Sequence, residues 1–84
     1  MTTTYREALQ HLYRQGYDIL EDNGQTQPLQ DALAVMSGSE DEGPEVVSEY
    51  EADGVQVITE LDEEGYRKTP PLARVYKDEA YLRK

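Results

Sequence analysis

There is no cysteine in this sequence, no phenylalanine and no tryptophan. Without thiols there is neither a disulfide staple nor a thiolate metal site, and redox chemistry says nothing about the compartment. With Phe and Trp missing, seven tyrosines together with leucine and valine must supply most of the apolar area. No apolar run approaches the ~20 residues that a membrane-spanning helix needs. The threonine-rich start lacks the apolar core of a signal peptide, so a soluble cytoplasmic protein is expected. The 84 residues suffice for a single domain, 1–84, with a thin core.

The sharpest absence is of positive charge. From Gln15 to Tyr66 the chain has no Lys, Arg or His, and it carries fifteen of its eighteen acids there. All eight cations and the single histidine lie in the two ends. A chain needing only solubility mixes its signs. A one-sign field steers association, and what it attracts is a basic surface. The net charge of −10 speaks against direct nucleic-acid binding, which depends on Lys and Arg neutralising phosphates, and against anionic membranes.

What remains can be ordered along the chain. Thr4 and Glu7 have capping-box spacing, and Tyr5, Ala8, Leu9, Leu12 and Tyr13 recur as one helical stripe. Gly16 is placed to end that helix, predicted over 4–15. A short strand is predicted at 17–22, closed by the turn signal Asn23-Gly24. A second helix is predicted from about Thr26, with Pro28 in its first turn and Leu29, Ala32, Leu33 and Met36 as its buried stripe.

After a charged loop at 39–44 the period changes from 3.6 to 2. Val46, Ser48, Tyr50 and Ala52 alternate up to Asp53-Gly54, and Val55, Val57, Thr59 and Leu61 follow. Asp-Gly between alternating runs is a strong hairpin signal. A two-residue turn there pairs Tyr50 with Val57 and Val46 with Leu61, which puts Val47, Glu49, Glu51, Gln56, Ile58 and Glu60 on the other face. Gly65 should close a second turn, with a strand over 72–77 after Pro70-Pro71 and a short edge strand over 80–83. The expected fold is α+β, two helices packed on an antiparallel sheet of three to five strands.

Little in the chain points to catalysis, and no enzyme activity, cofactor or metal is expected. Nucleophilic chemistry needs a nucleophile beside a base, yet no serine lies near His11 in sequence. The imidazole follows Glu7 by one helical turn, the spacing of a surface pair. Neither 40–42 nor 62–64 has the spacing of a calcium loop.

Alternate residues on a strand stand ~6.7 Å apart, and two nucleotide steps along one DNA strand span ~6.8 Å. Glu49, Glu51 and Glu60 would then present carboxylates at a phosphate-like repeat, extended by Asp62, Glu63 and Glu64 and by the acids of 40–42. A basic DNA-binding protein would meet them as it meets a backbone. Ordinary outward-facing strand acids, or adaptation to high salt, account for acidity as well; salt adaptation would spread the acids over the whole surface.

The element order, with Val55-Gln-Val-Ile-Thr59 and Leu72-Ala-Arg-Val-Tyr-Lys-Asp78, resembles the phage uracil-DNA glycosylase inhibitor family of small acidic DNA mimics. The resemblance implies helix, strand, helix, then antiparallel strands, and binding in the enzyme's DNA cleft from the host cytoplasm. It further implies that Glu21 stands in for a phosphate, with Asp22-Asn23 where the family has Ser-Ile, and that Asp31 contributes from the second helix. It also implies an apolar pocket, for which Leu33, Met36, Val46 and Val57 are the candidates. Other targets fit the same acidity: a CRISPR surveillance complex, a restriction enzyme or a transcription factor. A non-mimic acidic adaptor is the remaining class. The expected state is a monomer or small homo-oligomer.

Overall fold

The computed structural model describes residues 3–82, with the Glu51 side chain also outside the described part. Strand β1 (Thr3–Thr4) leads into helix α1 (Tyr5–Arg14), followed by β2 (Ile19–Asp22), β3 (Gln25–Pro28) and α2 (Leu29–Ser37). Then come β4 (Glu45–Ala52), β5 (Val55–Glu60), β6 (Ala73–Tyr76) and the short α3 (Glu79–Leu82). The six strands form one antiparallel sheet in the order β1-β4-β5-β6-β2-β3. This is the expected α+β class, with one strand and one helix more than the sequence pattern suggests. No helix among the described residues is long and apolar enough to cross a membrane.

Helix α1 begins and ends where its sequence says. The Thr4 hydroxyl accepts the Glu7 amide at 3.2 Å. The Glu7 carboxylate accepts from the Thr3 hydroxyl at 2.9 Å, so only half of the capping box forms. At the other end Gly16 takes φ 97°, and Tyr17 and Gly16 donate back to the Leu12 and Tyr13 carbonyls. That is the Schellman pattern, which satisfies carbonyls the helix leaves open.

The second helix starts later than Thr26. Asn23 and Gly24 both have positive φ, 53° and 80°, the signature of a type I′ turn. That turn folds 25–28 back along β2 as an exposed edge strand, and Pro28 becomes the residue before the helix. Helix α2 has no basic residue in its last turn. Arg6 of α1 does that work instead: its guanidinium donates to the carbonyls of Met36, Ser39 and Asp41. The acidic loop is thereby fastened to α1. Gly43 packs so tightly there, at φ 83°, that a Cβ would come within 2.8 Å of the Tyr5 Cβ.

The register of the β4–β5 hairpin departs from simple alternation. The Asp53-Gly54 turn is present and Ala52 pairs with Val55, but a bulge at Glu51 then sets Tyr50 opposite Gln56 and Ser48 opposite Ile58. A one-residue shift exchanges the faces of β5. Ile58 is therefore in the helix-side core with Leu9, Leu12, Leu20, Leu29, Val46 and Val75. Val57 and Thr59 are buried on the opposite face, where the segment 67–71 lies beside them. The chain end predicted as a strand over 80–83 is helix α3 as far as Leu82, and Arg83 lies outside the described residues.

Candidate acidic interface

Strand direction decides where the acids go. In this antiparallel order the end of β2, the start of β4, the end of β5 and the start of β6 share one end of the sheet. Asp22 and Glu45 sit on those strand ends. The loop carrying Glu40, Asp41 and Glu42 enters β4 there, and the turn carrying Asp62, Glu63 and Glu64 leaves β5 there, with Leu61 donating to the Glu45 carbonyl at 3.1 Å. Three segments far apart in sequence thus meet at one acidic end.

Aspartates and glutamates divide the labour at this end. The Asp41 carboxylate accepts the Gly43 amide, and Asp62 accepts the amides of Glu64 and Tyr66, all at 2.9 Å. Such turns are locked by their own side chains. Glu40, Glu42, Glu45, Glu63 and Glu64 are exposed, and among the described residues no salt bridge reaches them. No group of three carboxylates or imidazoles among the described residues is arranged to hold a metal ion.

The track predicted along the hairpin is broken. Glu49 and Glu60 lie on opposite faces of the sheet, because the bulge shifts one strand against the other. Each is also paired: Glu49 with Arg67, and Glu60 with Lys68 at 3.1 Å. Both pairs are solvent-exposed, so each contributes at most about 1 kcal/mol to stability, but each cancels a carboxylate's field. Glu51 is the bulged residue, and its side chain lies outside the described residues.

The remaining candidates scatter as well. Glu21 stands opposite Arg74 on the face away from the helices. The Tyr76 phenol on the same face has its pKa pushed up, by burial first and by the Glu21 carboxylate second, with Arg74 acting in the opposite direction. Asp31 is in the first turn of α2, at the far end of the sheet, where Pro28 pairs with Ile19. Leu33 and Met36 are half-buried against the core and Val46 is fully buried, but Val57 is across the sheet, so the four do not line one pocket. Asp22, Asp62, Glu63 and Glu64 are the predicted contacts that the fold does bring to one end. Glu45 belongs with them; only the strand register, not its sequence neighbourhood, could have revealed it.

No family model, curated protein or solved structure matches the chain. Geometry and charge therefore carry the functional reading.

One titration reports directly on this end. The Tyr5 phenol is raised to about 12, by burial first and by the Asp22 carboxylate second. An unfolded tyrosine ionises near 10 while folded Tyr5 keeps its proton. The unfolded state therefore binds fewer protons between those values, and stability falls as pH rises from about 10 to about 12. Spectrophotometric titration of Asp22→Asn should show one late-ionising tyrosine moving down towards 10; an unchanged curve would place Asp22 away from the ring.

Proposed function

We propose that this protein inhibits a DNA-processing enzyme by placing the acidic end of its sheet in the enzyme's DNA-binding cleft. Uracil-DNA glycosylase is the first target, in line with the family resemblance. The observation that carries the reading is the meeting of Asp22, the 40–42 loop and the 62–64 turn at one end of the sheet, with no salt bridge to them among the described residues. A cleft lined with Lys, Arg and helix N-termini for phosphates would receive these carboxylates in the same way. The duplex is excluded by occupancy, and the inhibitor itself needs no chemistry, cofactor or metal. A phage origin and action in the host cytoplasm go with this reading.

Other basic DNA-binding targets, including CRISPR and restriction enzymes, use the same contact. In each case affinity should fall on the order of tenfold or more between about 50 and about 200 mM salt, and duplex DNA should compete. Stoichiometric protein should stop uracil excision in a purified glycosylase assay. Uninhibited excision at excess removes the glycosylase and leaves the mimic. A partner whose binding ignores both salt and DNA removes the mimic as well, and favours an acidic adaptor.

A further inference from the structure

The sheet has two edges, and only one is blunted. At β3 the pairing starts from Asp22 and Gln25 across a two-residue turn, so Gln25 and Gln27 spend their backbone groups on β2. Thr26 and Pro28 face outward, and proline has no N–H to offer. A single outward donor remains on that side.

At the other edge, among the described residues, β1 covers only Glu45 and Val46. The bond from the Leu61 amide to the Glu45 carbonyl marks Glu45 as turned towards β5. Alternation then turns Val47 and Glu49 the same way, and Ser48 and Tyr50 outward. Among the described residues no turn, loop or cap hydrogen bond reaches the backbone of either. The Tyr50 residue is 67% exposed. Between this edge and α1 lies a groove of about 420 Å³ lined by His11, Leu12, Val46, Ser48, Tyr50 and Gln56. Its inner wall, Leu12 and Val46, is the fully buried core itself.

We infer that the β4 edge takes an extended segment of a basic partner protein as a further strand, with lysine or arginine alternating with apolar residues. Edge addition draws its affinity from main-chain hydrogen bonds and its specificity from alternate side chains. On the helix side those side chains enter the groove beside the exposed Tyr50 ring, which suits an apolar or aromatic residue. On the other face they pass Glu49, where an incoming cation competes with Arg67, a partner that is itself largely exposed. A second copy is a poor occupant. It would bring another body of charge −10 against this one and set glutamates near glutamates. The added strand occupies the side of the sheet rather than its end, and is independent of phosphate mimicry.

The probe is a synthetic peptide of about ten residues alternating lysine with valine and tyrosine, a length that spans the edge. Amide hydrogen exchange should slow at least about tenfold at Ser48 and Tyr50 and stay unchanged at Thr26 when the peptide is added to the full chain. Ser48→Pro removes an outward donor from an edge strand and should weaken the peptide about tenfold, by one lost backbone hydrogen bond. Should that variant fail to fold, the same peptide N-methylated on its β4-facing amides carries the test with the protein intact, and should also bind about tenfold more weakly. Three results overturn the inference. One is no binding. Another is binding with Ser48 and Tyr50 unprotected, which is attraction to the acidic end alone. The third is a free protein already dimeric through those amides.

Discussion

Reversing Glu40, Glu42, Glu63 and Glu64 to lysine is expected to weaken cleft binding by at least about a hundredfold, read as lost inhibition in the excision assay. The net charge rises from −10 to −2, two charges for each reversal. Like charges set against one another across an interface cost several kcal/mol, and about 2.8 kcal/mol is already a factor of a hundred. Glutamates suit this test better than aspartates. Asp41 and Asp62 hold the turns through their own amide bonds, so replacing them would confuse folding with binding. Glu49→Gln and Glu60→Gln are the controls: Arg67 and Lys68 already neutralise those carboxylates, so each should change affinity by less than about threefold. If the controls abolish binding while the four reversals leave it intact, the contact is the hairpin face and not the end of the sheet.

How much of this was legible depended on whether a signal was local. Thr4 and Gly16 mark the ends of α1 because capping is settled within a few residues. Asn23-Gly24 and Asp53-Gly54 located both two-residue turns for the same reason. The path of the chain beyond a turn is less readable. Gln25-Thr-Gln-Pro28 has no apolar alternation to mark a strand, and it becomes one because the I′ turn lays it along β2. The bulge at Glu51 leaves no mark in the pattern either, since both faces of β5 are apolar enough to be buried: Ile58 under the helices, Val57 and Thr59 on the opposite face beside 67–71. The ion pairs Glu49–Arg67 and Glu60–Lys68 arise from that same return of the chain, which only three-dimensional proximity reveals. Clustering of acids was legible as composition, whereas the end they occupy was set by strand direction.

The register itself predicts which residue holds the molecule together. Ile58 is fully buried on a central strand, between Ser48 and Ala73, and belongs to the core that the helices cover. Ile58→Ala should cost about 2–5 kcal/mol, the lost transfer energy plus the cavity left behind. An 84-residue domain has only about 4–13 kcal/mol to lose. Val57→Ala removes two methylene equivalents on the opposite face, about 1.6 kcal/mol, without opening the main core. Urea unfolding of the two variants beside the parent separates the registers. With the bulge in place, Ile58→Ala should lower the midpoint by more than about 1 M, and by more than Val57→Ala does. In the unbulged hairpin that alternation alone would give, Val57 would lie under the helices and Ile58 outside, and the order of the two losses would reverse. The reversed order would also return Glu49 and Glu60 to a shared face and restore the hairpin as the acidic surface.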